Sequence, residues 1–215
     1  VIHISFPYKL LKMSIVFFEK YDTQVETLKG ILSPLSRNFS FIATDVRSLS
    51  YHHPEINCVV SPANSFGYMD GGIDRIYSKM FPGISKAVRS KIATYGLFTA
   101  LHRPYLPIGS SILVETGDDQ VPFMICIPTM TFPSNIRGTQ NVYWAARALF
   151  KLALSNPHLA IGCPGLGTGT GGFTMKDSAL QIAKAFEDEM NRVPSYKKST
   201  IHNFDRTGFV LNKDA

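Results

Sequence analysis

Two stretches, each a short apolar run ending in a cluster of glycines, limit what this chain can fold into. The first, residues 59–74, reads VVSPANSFGYMDGGID. The apolar run from Ile56 to Val60 reads as a buried strand. Ser61-Pro62 ends it, because proline has no N–H to give a ladder. Asn64, Ser65, Gly67, Asp70, Gly71 and Gly72 follow, and Ile73 and Asp74 enter a helix. The second stretch, residues 158–174, reads HLAIGCPGLGTGTGGFT. Here a strand from Leu159 to Cys163 meets Pro164, and Thr168 and Thr170 alternate with Gly165, Gly167, Gly169, Gly171 and Gly172 before another helix. A strand that ends in a glycine loop and feeds a helix turns backbone N–H groups toward an anion. Asn64 adds an amide that donates and accepts, as a sugar diol requires. Asp74 puts a carboxylate at the mouth of the same loop. Two such junctions imply two walls of one phosphate-binding site.

The rest of the chain supplies an α/β frame. Ile15–Phe18 and Phe39–Ala43 read as strands. Residues 22–33 carry Val25, Leu28 and Leu32 at helical spacing, and Pro34 stops them. Residues 47–55 read as a surface loop. Helical patterns cover 73–81, 84–95, 139–154 with Thr139 as N-cap, and 175–190 with Thr174 and Asp177 at capping-box spacing. Ser111–Glu115 and Val121–Ile127, joined by Thr116-Gly117-Asp118-Asp119, form an antiparallel hairpin. Alternating strands and helices with one hairpin give a mixed sheet covered on both faces.

Composition excludes several classes. No apolar run is long enough for a transmembrane helix, so no membrane partner is expected. Lys9 and Lys12 interrupt the apolar clusters near the start, and no signal peptide is read there. Residues 1–12 are read as a leader, with Met13 a candidate start, and 191–215 as an extension or tail holding a candidate edge strand at 207–211. Cys58, Cys126 and Cys163 each lie in an apolar run, as buried thiols of a reducing, cytoplasmic protein do. His52-His53 lacks further ligands at metal spacing, and no metal or cofactor is expected. A net charge of +6 favours anionic partners. Without an aromatic platform motif or a basic helix, nucleic acid is not expected as the primary ligand. No Lys-Ser or Lys-Thr follows the second glycine loop, so it is not a P-loop. The dinucleotide fingerprint of the Rossmann fold is also missing.

Four segments, in order, resemble the macro domain, the ADP-ribose-binding fold. They are Thr44-Asp45-Val46, Ser61-Pro62-Ala63-Asn64-Ser65, Gly71-Gly72-Ile73-Asp74 and the run from Pro164 to Gly172. The resemblance spans residues 13–190 and implies a three-layer α/β/α sandwich around a mixed sheet. It implies ADP-ribose or an ADP-ribosylated macromolecule as the partner. Carried over by position, Asp45, with Val46 beside it, would accept from the adenine amino group. Asn64 would hold the distal ribose, with Ala63 beside it among the ligand-binding residues. Gly71, Gly72 and Ile73 would approach that ribose and the phosphates. Gly167, Thr168, Gly169, Thr170, Gly171 and Gly172 would wrap the pyrophosphate, with Gly165 and Leu166 among the ligand-binding residues, and Phe173 would sit near the distal ribose.

The resemblance also implies chemistry. Asp74, with Asn64, would orient or activate a water beside the distal anomeric carbon, releasing a protein carboxylate, acetate or phosphate. Asp74 is equally suited to cap the helix that begins there. Lys79 is offset by one residue from the nucleophilic lysine of another branch. Ser61, Pro62 and the Phe66–Met69 insertion depart from the hydrolase pattern. They resemble a microbial and fungal branch for which an ADP-ribose-1''-phosphate phosphatase has been suggested. Mono-ADP-ribosyl hydrolase, phosphatase and non-catalytic reader stay open on the sequence.

Overall fold

A computed structural model describes residues 13–94 and 97–196. The leader at 1–12 and the candidate edge strand at 207–211 lie outside the described residues. Six strands form one mixed sheet: β1 (Ser14–Glu19), β2 (Phe39–Ala43), β3 (Cys58–Ser61), β4 (Ile112–Glu115), β5 (Phe123–Cys126) and β6 (Ala160–Pro164). Their spatial order is β2-β1-β6-β3-β5-β4. All neighbours are parallel except β4 and β5, the hairpin read from the sequence.

The helices are α1 (Asp22–Leu32), α2 (Leu49–His52), α3 (Gly72–Met80), α4 (Ile84–Thr94), α5 (Asn141–Ser155) and α6 (Met175–Tyr196). They cover both faces, which completes the three-layer α/β/α sandwich. Strands covered on both sides need apolar residues at successive positions rather than at alternate ones. β1 shows this. Ile15 and Phe17 face the core shared with α1, α5 and α6, while Val16 and Phe18 face the core under α2, α3 and α4. In the first core Phe39 meets Phe17 edge-on at 5.3 Å and Phe186 at 5.0 Å between ring centroids.

Two local expectations are revised. The stretch at 47–55 is not simply loop, because a 3-10 turn at Val46–Ser48 leads into α2. Leu49 anchors it, 2% exposed, and a Cβ at Gly162 would lie 2.6 Å from its Cδ2. One buried leucine on a four-residue helix leaves no readable periodicity. α5 starts at Asn141, and Thr139 is not its N-cap. The Thr139 hydroxyl instead donates to the Ile136 carbonyl and accepts from the Asn141 N–H, closing the turn that precedes the helix. At α6 the expected start holds. Thr174 Oγ1 accepts from the Asp177 N–H at 3.0 Å and donates to its carboxylate at 2.7 Å. α6 also continues past residue 190 to Tyr196.

α5 and α6 are joined by a nearly buried ion pair, Arg147 Nη2 to Glu189 Oε2 at 2.9 Å, with Arg147 Nε on the same oxygen at 3.2 Å. Removing one partner strands the other charge. Glu189→Ala should therefore lower stability by about 1.5–3 kcal/mol, read as a fall in the urea midpoint. An unchanged midpoint would show that solvent already satisfies Arg147.

Candidate active site

The strand ends determine where chemistry can be placed. In an open parallel sheet, ligands bind beyond the carboxyl ends of the strands. Here the carboxyl ends of β1, β6 and β3 release Glu19, the loop after Pro164 and the loop after Ser61. Together with Thr129, Met130 and Pro133 they enclose a cavity of about 440 Å³.

The loop between β6 and α6 forms one wall. Its carbonyls turn into the protein. Leu166 O accepts from Ser178 Oγ, Gly167 O from the Phe173 N–H, Gly169 O from the Gly172 N–H, and Gly171 O from the Ile136 N–H. A peptide's N–H points opposite to its C=O, so the bonded carbonyls of Leu166, Gly167 and Gly169 aim the N–H groups of Gly167, Thr168 and Thr170 outward, whereas the Gly172 N–H is taken by Gly169 O. No acceptor among the described residues takes the N–H groups of Gly167, Thr168, Gly169, Thr170 or Gly171, and all five residues line the cavity. The result is a concave row of donors suited to an anion. Gly167 adopts φ +69° and Gly172 φ +71°, left-handed conformations that a side chain would strain.

The opposite wall is the loop after β3 and the start of α3. Gly71, Gly72, Ile73 and Asp74 line it, at the helix end where backbone N–H groups lack helical partners. Asp74 does not cap that helix with its side chain. It is buried, and its Oδ1 accepts a hydrogen bond of 2.7 Å from Ser61 Oγ. Burial pushes its carboxyl up to about 6. The Ser61 hydroxyl opposes the rise and the nearby Asp70 charge adds to it. Ser61, a departure from the family pattern in sequence, thus positions the carboxylate.

Asn64 lines the cavity too, but its amide organises its own loop. Oδ1 accepts from the Phe66 and Tyr68 N–H groups, and Nδ2 donates to the Tyr68 carbonyl at 2.8 Å. One of its two amide hydrogens remains for a ligand. The Phe66–Met69 insertion is therefore folded around Asn64, with Phe66 stacked on Phe132 at 4.7 Å.

Of the residues expected at the site, Ala63, Asn64, Gly71, Gly72, Ile73, Asp74, Gly165, Gly167, Thr168, Gly169, Thr170 and Gly171 line one cavity. Asp45, Val46, Leu166, Gly172 and Phe173 do not. The Asp45 carboxylate is clamped by the Arg47 side chain, at 2.7 and 2.8 Å, and by its N–H at 3.0 Å. These contacts hold its carboxyl down at about 2. Val46 is buried in the core beneath α2–α4. Leu166 and Phe173 are buried under the glycine loop, in the core with α5 and α6. Residues missed by the sequence reading are Glu19, Pro62, Tyr68, Asp70, Thr129, Met130 and Pro133. Glu19 was findable, since it ends the apolar run of β1 at the carboxyl edge of the sheet. Thr129–Pro133 follows β5 and carries no glycine signal.

Among the described residues, no group of His, Cys, Asp and Glu has the arrangement to hold a metal ion, and no helix is long and apolar enough to cross a membrane. The three cysteines are buried thiols, and burial pushes each of them up.

A family model described as Macro domain matches residues 60–183. An uncharacterised protein of Aquifex aeolicus (strain VF5) is 30% identical over 130 residues, 60% of this chain and 72% of that one. The macrodomain of Mycobacterium tuberculosis DarG superposes with a TM-score of 0.50 at 22% identity, covering 62% of this chain and 83% of its own. Thermosipho africanus DarTG, solved in complex with ADP-ribose, gives a TM-score of 0.53 at 12% identity, over 79% of this chain and 49% of that one.

Proposed function

This chain belongs to the macro-domain family, and from that premise we propose that it binds ADP-ribose and hydrolyses a group from the distal ribose. The observation that carries the reading is the buried carboxylate of Asp74, fixed by Ser61 across the cavity from a wall of free N–H groups. A pyrophosphate on the Gly167–Gly171 N–H groups would gain about 1.5–3 kcal/mol from each charge-assisted bond. The distal ribose then falls beside Asn64 and the α3 N-terminus. The ADP-ribose complex of Thermosipho africanus DarTG, a protein of the same fold, supports this choice of ligand.

In this reading Asp74 takes a proton from a water as that water attacks the anomeric carbon. The bond from that carbon to the departing oxygen breaks, releasing a carboxylate or a phosphate. A base must be ionised to act, and a carboxyl at about 6 is ionised at neutral pH while still basic enough to accept the proton. The test is turnover of ADP-ribosylated protein and of ADP-ribose-1''-phosphate. Release of free ADP-ribose from the first marks a mono-ADP-ribosyl hydrolase, and phosphate release from the second marks a phosphatase. Binding with neither reaction marks a reader.

The same assay has a pH signature. The rate should rise with pH and reach half its plateau near the Asp74 value of about 6. Ser61→Ala removes the hydrogen bond that favours the charged form, so the midpoint should move to higher pH. An unmoved profile would disconnect Asp74 from the rate.

A further inference from the structure

The mouth of the cavity continues into an exposed apolar surface that the proposed reaction does not use. We propose that this surface docks a polypeptide segment of the modified partner, where it takes a large apolar side chain next to the residue that carries ADP-ribose. This rests on the ADP-ribose reading above and names a protein, rather than ADP-ribose-1''-phosphate, as the substrate.

Phe66 holds the surface together. Its ring stacks on Phe132 at 4.7 Å and lies 6.4 Å from Tyr68 and 6.5 Å from Tyr105 between centroids. Tyr68 lines the cavity, as do Met130 and Pro133 on either side of Phe132 in the chain. Tyr105 closes a hairpin. Its N–H donates to the Leu97 carbonyl, and the Thr99 N–H donates to the Arg103 carbonyl. The Leu106 N–H ties this hairpin to the cavity loop through the Ser65 carbonyl, at 2.8 Å. Leu97, Phe98 and Leu101 are exposed on the hairpin, and Tyr68 and Phe132 are exposed on the rim. They are five of the nine large apolar side chains left exposed among the described residues. Scattered singly, such residues need no explanation, but gathered at one mouth they mark an interaction surface.

Charge decides the class of partner. A nucleic-acid strand needs several cations for its phosphates. Among the described residues no lysine or arginine lines the cavity, and Asp70 is exposed on its rim, two residues from Tyr68. The hairpin at 97–105 carries one arginine, Arg103. A polypeptide brings apolar side chains without a phosphate at every step. Its route to the surface is short. Tyr68, bonded through its backbone to the Asn64 amide, belongs to both the cavity and the surface. A distal ribose at Asn64 therefore presents its attached residue to the aromatic cluster around Phe66.

The test is calorimetric titration with free ADP-ribose and with two synthetic peptides that carry ADP-ribose through a hydrolysis-resistant linkage. One has phenylalanine beside the modified residue and the other has serine. The wild-type protein should bind the phenylalanine peptide about tenfold more tightly than the serine peptide, the scale of burying one such side chain. Phe132→Ser and Leu101→Ser should each bring the two peptides close to parity, with melting curves confirming the fold. Leu101 is 81% exposed, so its variant keeps the test if Phe132→Ser fails to fold, and it should leave the affinity for free ADP-ribose unchanged. Equal wild-type affinity for the two peptides, or a preference kept in Leu101→Ser and Phe132→Ser, would overturn the assignment and leave ADP-ribose binding standing. Tighter binding of an ADP-ribosylated oligonucleotide than of the phenylalanine peptide would overturn it as well. Wild-type protein that binds neither free ADP-ribose nor the peptides would overturn the ADP-ribose reading, and the docking surface with it.

Discussion

Asp74→Asn should abolish turnover, retain most of the binding of ADP-ribose, and make the fold more stable at neutral pH. The first effect follows from removing the base, for which a loss of about 10²–10⁴-fold in rate is typical. Binding persists because the phosphate-facing groups are backbone N–H, and Asn can still accept from Ser61 Oγ. The stability effect follows from linkage. Folding raises the Asp74 carboxyl from 3.8 to about 6, chiefly by burial. Between those values the native state keeps a proton that the unfolded chain has lost. Stability linked to Asp74 is therefore full below about pH 4 and is lost as pH rises through about 6. At neutral pH the buried charge costs about 2–3 kcal/mol, which a neutral asparagine avoids. Urea unfolding of both proteins at acid and neutral pH separates the two terms. A variant gaining at neutral pH alone fits a base held at the expense of stability. Equal turnover in the variant would remove Asp74 from the mechanism.

Gly171→Ala should cost about a hundredfold or more in ADP-ribose affinity. Its Cβ would lie 2.5 Å from the Gly167 carbonyl oxygen and 2.9 Å from Ile136 Cγ1. The first contact is with backbone, which cannot swing aside. The loop must open, breaking the Phe173 N–H to Gly167 O and Ile136 N–H to Gly171 O bonds that hold its shape and so displacing the row of donors. Losing two N–H contacts to phosphate is enough for the stated loss. Overpacking should also destabilise the fold by about 1–3 kcal/mol. Gly169→Ala is the control. No atom lies within 4 Å of its Cβ position and its φ is not positive, so affinity should hardly change. If both variants bind normally, the loop does not hold the phosphates.

The parts of this molecule that were legible in its sequence are those with a local cause. Gly171-Gly172 and Gly71-Gly72 at strand-to-helix junctions marked both walls of the cavity. The apolar run of β1 marked a strand covered on both faces. Glu19 was passed over because a lone acidic residue after a strand resembles a solvated end, although its place at the end of the β1 apolar run pointed to the site; its contact with Gly165 then fixes it there. Ser61 looked like a loss, since its bond to Asp74 spans thirteen residues that only the folded loop brings together. Asp45 matched the family motif; that it lies outside the cavity lining and pairs with Arg47, two residues on, is side-chain geometry that a motif does not encode. The short helix α2 buries one residue, Leu49, in the core, too little to show as a pattern.

Calorimetric titration of the protein with ADP-ribose, set against ADP and AMP, shows whether the cavity reads the distal ribose. Micromolar-range binding of ADP-ribose that clearly exceeds binding of ADP is the expected result. It would mean that the wall of Asn64, Gly71–Ile73 and Asp74 reads the distal ribose while the glycine loop holds the phosphates. Equal binding of ADP and ADP-ribose, or no heat with any of the three, would contradict it and leave a macro-domain fold whose cavity serves another ligand.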